Sequence, residues 1–311
     1  MRLGLFVLCL ASIAGCVQGA DKSDDGRLHV VATIGMISDI VGDVGGSRLE
    51  VEGLMGPGVD PHLFKASAGD VRALARADAV FYNGLHLEAA MAEVLEEMNE
   101  RKPTFAVTDG IDRELLHRSA AFQNNYDPHV WFDVTMWSSA VEQVEAALIQ
   151  LDPAGETEFR ANAAALRDTL QELDAWVRVQ VAQVPPELRV LITAHDAFEY
   201  FGKQYGFQVI GLQGISTASE AGTGDVQRMV DAIIDKRIPA IFIETSIPRR
   251  TIEAVQAAVR SRGFEVVIGG SLFSDAMGNP GTPEGKYPGM IRHNVNTIVD
   301  ALTAEQSQTA E

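Results

Sequence analysis

Residues 153–183 read PAGETEFRANAAALRDTLQELDAWVRVQVAQ. Pro153 suits the first turn of a helix, where its missing N–H is one of the unpaired donors anyway. No further proline interrupts the chain until Pro185 and Pro186, in VPPEL, end the pattern. Leu166, Leu170, Leu173, Trp176, Val177 and Val181 step by three and four residues, which makes one apolar stripe on an α-helix. A helix of this length extends about 46 Å at 1.5 Å per residue. That reach suits a rigid link along a body of two lobes better than a helix packed inside one lobe.

The chain on both sides of the stretch has the same pattern. Before it, LHVVAT (28–33), RLEVEGLM (48–55), DAVFYNG (78–84) and TFAVTDG (104–110) read as buried strands, separated by helical segments such as 67–77 and 87–100. After it, RVLITAH (189–195), QVIGLQG (208–214), AIFIET (240–245) and EVVIGG (265–270) are strands, with helices at 226–237, 249–262 and 289–302. Nearly continuous apolar strands alternating with helices imply parallel sheets covered on both faces. The expected fold is therefore α/β, with two (β/α)4 lobes whose parallel sheets are joined by a long rigid α-helix. The expected boundaries are 28–152 for the first lobe, 153–184 for the linking helix and 185–311 for the second lobe.

The N-terminal end reads as an export signal. Arg2 is followed by an apolar run, Leu3–Ile13, too short to span a bilayer. Ile13-Ala14-Gly15-Cys16 resembles a bacterial lipobox, which predicts a signal peptide over 1–15, a lipidated Cys16 and a polar tether over 16–27. The alternative is an ordinary signal cleaved near Ala20. The chain has two cysteines, Cys9 and Cys16. The mature body then has no thiol, and so neither a disulfide nor a thiolate metal site. A formal net charge of −18 argues against a nucleic-acid partner and suits a protein that meets cations.

Asp-Pro-His occurs twice, at 60–62 and 127–129. His62 follows the second strand of the first half and His129 follows its fourth. His195 ends the first strand of the second half, and Asp275 follows the last. In open α/β sheets ligands bind beyond the carboxyl ends of the strands. Facing sheets would bring these four residues, two from each half, into one cleft. Three imidazoles and a carboxylate make a divalent metal site that suits Zn²⁺ and accepts Mn²⁺ or Fe²⁺. Proline stiffens the approach of each histidine, and Asp60 or Asp127 can hold a ring N–H behind it. Glu244, also at a strand end, is read either as such an acceptor or as a cap of the next helix, with the cap preferred. Thr217-Ala218-Ser219-Glu220 fits a capping box.

Longer motifs carry a family resemblance. Residues 56–88, 127–133, 192–206, 212–226, 241–256 and 270–278 resemble, in order and spacing, the ligand regions of the cluster A-I, or TroA-like, metal-binding proteins of bacterial ABC transporters. The resemblance covers essentially the whole mature chain. It implies two (β/α)4 lobes joined by one rigid helix, with the metal between them on His62, His129, His195 and Asp275. It also implies an exported receptor that hands its ion to a membrane permease driven by a cytoplasmic ATPase. The expectation is a carrier rather than an enzyme, with a solitary receptor as the default and the oligomeric state left open. Many zinc-specific members carry a His-rich acidic loop before the second histidine, whereas residues 111–126 here hold only His117. Manganese members often have Glu at the third ligand, where this chain has His195. Zn²⁺ and Mn²⁺ both stay open as cargo, with Fe²⁺ behind.

Two other classes compete. A zinc hydrolase could use the three histidines and leave one position for water, with Glu244 as its base. The chain lacks His-Glu-x-x-His and Gly-x-Ser-x-Gly, and Asp275 would close the site. A surface adhesin is compatible with a lipidated start.

Overall fold

The structure is a computed structural model that describes residues 26–308. The expected signal peptide and Cys16 lie outside the described residues, as does all of the tether except Gly26 and Arg27. Among the described residues, no helix is long and apolar enough to cross a membrane.

In the first half, β1 (Leu28–Ala32), β2 (Leu49–Gly53), β3 (Ala79–Tyr82) and β4 (Thr104–Ala106) form one parallel sheet in the order β2-β1-β3-β4. Leu28, Val30, Val31 and Ala32 are all buried, because helices cover both faces of the central strand. The connecting helices are α1 (Gly35–Gly45), α2 (Ala68–Arg76) and α3 (Ala92–Arg101). Ser67 caps α2 by accepting from the N–H of Gly69 and Asp70, and Asp70 returns a bond to the Ser67 N–H. The fourth strand is shorter than the expected 104–110, since the chain turns into a 3-10 segment at Val107. A further helix, α4 (Val134–Leu151), begins directly behind the second Asp-Pro-His and is capped by Asp133.

The linking helix α5 runs over Glu156–Val181. It starts three residues later than Pro153, which opens a 3-10 turn instead. Gly155 permits that start, because a Cβ there would lie 2.6 Å from the Phe159 ring. The buried stripe is Phe159, Ala163, Leu166, Leu170, Leu173, Val177 and Val181, while Trp176 is only partly buried. It packs on α1 and α4 from the first lobe and on the C-terminal helix α9 (Tyr287–Gln308) from the second.

The second half holds β5 (Val190–His195), α6 (Glu199–Tyr205), β6 (Gln208–Gln213), α7 (Thr223–Asp235), β7 (Ala240–Glu244), α8 (Arg250–Ser261) and β8 (Val267–Leu272). All pairings are parallel, but the strands join as two pairs, β5–β6 and β7–β8, rather than one four-stranded ladder. The β5 and β7 strands still lie side by side. At their ends a side chain replaces the ladder, with Glu244 accepting from the His195 N–H at 2.9 Å.

One apolar cluster spans the first lobe, the linking helix, α9 and the near side of the second lobe, including Phe198, Phe201 and Met277. A smaller cluster fills the rest of the second lobe around Ile192, Ile233 and Ile241. Asp39 on α1 adds polar ties to the second lobe, accepting from the Tyr287 N–H and from Lys286 Nζ, each at 2.7 Å. A shared apolar interface of this kind opposes wide hinge motion.

Candidate metal centre

All four candidate ligands come to one point between the lobes. His62 sits in the loop after β2, His129 at the 3-10 turn leading into α4, His195 at the last position of β5, and Asp275 in the loop after β8. One donor atom from each can be chosen so that all four lie within 4.8 Å of one another, and all four residues are buried. Nε2 of His62 is 3.3 Å from Nε2 of His129. The Asp275 oxygens stand 3.3 Å from His129 Nε2, 3.2 Å from His195 Nε2 and 4.0 Å from His62 Nε2.

These spacings suit a shared cation. Four donors at 2.0–2.1 Å from a tetrahedral zinc ion are separated from each other by about 3.3–3.4 Å. Moreover, neither Asp275 oxygen nor His195 Nε2 has a hydrogen bond of acceptable direction, despite the short distances. Buried polar atoms are normally paired. Here they aim at a common centre instead of at each other.

The groups behind the ligands set which ring nitrogen is free. Oδ1 of Asp127 accepts from both the N–H and Nδ1 of His129, at 2.9 and 2.7 Å. Glu244 gives one oxygen to each donor of His195, at 2.9 Å to the backbone N–H and 2.5 Å to Nδ1. An ionised carboxylate only accepts, so Nδ1 carries the proton in both rings and Nε2 faces the centre. The cap reading of Glu244 does not hold, because its carboxylate is turned to His195 and is wholly buried.

The two Asp-Pro-His loops differ in one respect. Asp60 Oδ1 accepts from the His62 N–H at 2.9 Å, as Asp127 does for His129. It does not hold the His62 ring, whose buried Nδ1 has no partner among the described residues. Its second oxygen accepts from Thr217 Oγ1 at 2.6 Å. Thr217 therefore takes no part in a capping box. The helix that follows begins at Thr223, and Asp225 accepts from the Gly222 N–H.

Electrostatics separate the three imidazoles. Burial, helped by the neighbouring His129 and His195, presses His62 down to about 3, against a weaker pull from Asp275. Its ring is neutral, with a lone pair to offer. Burial also disfavours charge on His129, but Asp127 and Asp275 outweigh it and hold that ring up to about 9. Glu244 and Asp275 likewise overcome burial to raise His195 well above its ordinary value. Asp275 is held well below the usual carboxylate range, since His195 and His129 outweigh its burial. A cation entering such a site replaces protons on imidazoles that already face a carboxylate.

Residues 30–301 match the ZnuA family, described as zinc-uptake complex component A, periplasmic. The chain belongs to this family. It is 47% identical over 306 residues to the manganese-binding lipoprotein MntA of Bacillus subtilis, covering 97% of this chain and 100% of that one. It is also 47% identical over 304 residues to the zinc-binding protein TroA of Treponema pallidum, covering 97% and 98%. The solved structure of the periplasmic zinc-binding protein TroA from that organism superposes with a TM-score of 0.87 at 49% identity, over 89% of this chain and 99% of that one. The two-lobed ZnuA-type architecture with its long helix is thus the fold of this protein.

The bonds that cross between lobes at the site carry no local signal in the sequence. Trp131 Nε1 donates to the Ser274 carbonyl at 3.1 Å, beside Asp275. Tyr200 OH, from α6, donates to the Asp127 carbonyl at 2.9 Å. The remaining histidines stand apart from the centre. His29 meets Glu52, His293 meets the Ser271 carbonyl, and His117 lies edge-on to Tyr200. Two cavities of about 690 and 740 Å³ are lined by other residues and include none of the four.

Proposed function

We propose that this chain is an extracytoplasmic solute-binding protein. It captures one Zn²⁺ or Mn²⁺ between its lobes on His62, His129, His195 and Asp275, and delivers the ion to the membrane permease of an ABC transporter. The observation that carries this reading is the convergence of four buried donors whose spacing suits one cation, with His195 Nε2 and both Asp275 oxygens lacking a hydrogen-bond partner among the described residues. The names of the relatives, a manganese-binding lipoprotein and a zinc-binding protein, support a metal cargo. They also support residence outside the cytoplasm, with Cys16 as the lipid anchor. The lobe boundaries at 152 and 184 follow the change from sheet units to the linking helix. The receptor acts as a monomer, since each chain supplies a full ligand set.

The ion is cargo and the chain is not an enzyme. A hydrolase needs an open coordination position and room for an organic substrate. Here Asp275 supplies a fourth donor and the whole set is buried.

The test is equilibrium titration of the chelator-stripped chain with Zn²⁺ and with Mn²⁺ separately. One ion bound per chain, without turnover of test esters or peptides, is the expected result. Absence of saturable binding of either ion would remove the four-ligand site, and binding that survives loss of the metal would favour an adhesin.

A further inference from the structure

We propose that Thr217 is a positioning residue that sets how long the ion stays bound, acting through Asp60 on His62. This rests on the metal-receptor reading above and adds a release device to it.

Three of the four ligand loops are tied to the opposite lobe by a hydrogen bond one or two residues before the ligand. For Asp275 the tie is Trp131 Nε1 to the Ser274 carbonyl, and for His129 it is Tyr200 OH to the Asp127 carbonyl. For His62 it is Thr217 Oγ1 to the Asp60 carboxylate, at 2.6 Å. His195 is held within its own lobe by Glu244.

The three cross-lobe donors are not equally anchored. Trp131 and Tyr200 are large aromatic side chains, 0% and 1% exposed, inside the main apolar cluster. Freeing either bond means moving a core ring, which close packing resists. Thr217 instead belongs to the loop between β6 and α7, where Ala218, Ser219, Glu220 and Gly222 are exposed. Bonds within that loop are long, at 3.3 Å from the Ala218 N–H to Ser216 Oγ and 3.4 Å from Gln213 Nε2 to the Ser219 carbonyl. Ile215 and Thr217 are its buried members. A segment with few buried contacts opens at the low end of the stability range. Of these three ties, the Thr217–Asp60 bond is thus the one that can break without disturbing a core.

Its other end bears directly on a ligand. The same Asp60 carboxylate fixes the His62 N–H, while the His62 ring has no partner behind Nδ1. Behind its ring His62 has no carboxylate, where His129 and His195 each have one. Loss of the Thr217 bond loosens the turn that aims the least supported ligand. The repeated Asp-Pro-His thus has divided labour. The carboxylate of Asp127 holds its own histidine's ring, and that of Asp60 reaches the opposite lobe.

The experiment is stopped-flow transfer of Zn²⁺ from the loaded chain to a chelating dye, comparing wild type, Thr217→Val and Thr217→Ser. A part-buried hydrogen bond to a carboxylate is worth enough that its loss speeds release by about tenfold. Thr217→Val should therefore release faster by that factor with an unchanged association rate, and Thr217→Ser, which keeps the hydroxyl, should match wild type. Thermal unfolding of the metal-free chains should remain one cooperative transition for all three, which shows that each variant folds. Release from Thr217→Val within twofold of wild type overturns the proposal, as does equal acceleration in Thr217→Ser, which would assign the effect to the lost methyl. Wild-type chain that never binds Zn²⁺ or Mn²⁺ would instead sink the receptor reading itself, and the proposal with it.

Discussion

Replacing Glu244 by Gln tests whether the groups behind the ligands tune the metal. Glu244 serves two donors with two oxygens, the His195 N–H at 2.9 Å and Nδ1 at 2.5 Å. A glutamine has one carbonyl oxygen and one NH₂ in the same place. If its oxygen keeps the backbone N–H, its NH₂ faces Nδ1. That nitrogen must then accept, which puts the ring proton on Nε2, the atom that faces the other ligands. If the amide is reversed, its NH₂ meets the backbone N–H and a buried donor is left unpaired. Either arrangement works against metal capture, and losses of about 10–100-fold in affinity are usual for such changes. That corresponds to about 1.4–2.8 kcal/mol.

Asp127→Asn supplies the internal control. At His129 one oxygen, Oδ1, accepts both bonds, and Oδ2 has no partner among the described residues. An asparagine can keep its oxygen at that position and its NH₂ at the idle one, so that only the charge is lost. Competition titrations against a chromophoric chelator at neutral pH should therefore rank wild type above Asp127→Asn, and Asp127→Asn above Glu244→Gln. An affinity for Glu244→Gln within about twofold of wild type, or a larger loss for Asp127→Asn, would refute the tautomer argument.

Metal binding should release about two protons per ion near neutral pH, from His129 and His195, read as the buffer dependence of the calorimetric enthalpy. Affinity then rises with pH up to and through about 9, where His129 loses its proton. The metal-free fold should respond with the opposite sign. Because His129 is raised above its ordinary 6.5, its contribution to stability is full below that value and is lost as pH climbs through about 9. Asp275→Asn should weaken binding more than Glu244→Gln does, because it removes a donor rather than its support. Unchanged binding would favour a site with water in that position. Leu170→Ala, at a buried point of the linking helix, should destabilise the fold by about 2–5 kcal/mol in denaturant unfolding. If the helix unites the lobes, probes in both should report the loss in one transition.

The site was legible because its placement follows from topology. His62, His129, His195 and Asp275 all stand at or beyond the carboxyl ends of strands, and the strands announce themselves by continuous apolar runs. What the sequence hid was pairing at a distance. Trp131 and Ser274 are 143 positions apart, and neither carries a local signal of the bond between them. Glu244 misled because an acid at the end of a strand has a local explanation as a helix cap, whereas its real partner lies 49 residues away on a neighbouring strand. Thr217-Ala218-Ser219-Glu220 failed for the same reason. The spacing of a capping box was present, but the hydroxyl was engaged by Asp60 from the other lobe. The second-half strands were individually readable. Their division into two ladders was not, since it depends on how β5 and β7 meet at Glu244.

The ligand set bears on how a cargo ion is chosen. Asp275 presents both oxygens to the centre, one towards His129 and the other towards His195 and His62. With one oxygen engaged the set has four donors and suits zinc. With both engaged it has five, which accommodates a metal of higher coordination number such as Mn²⁺. Three imidazoles nevertheless bind zinc more tightly than manganese in the ordinary metal series. Equilibrium affinity at this site therefore cannot by itself favour manganese, and a receptor serving that ion depends on supply and on how quickly a bound ion departs. Departure requires one ligand loop to yield first. The loop of His62, whose ring lacks a carboxylate behind it and whose cross-lobe tie ends on an exposed segment, is the one built to do so.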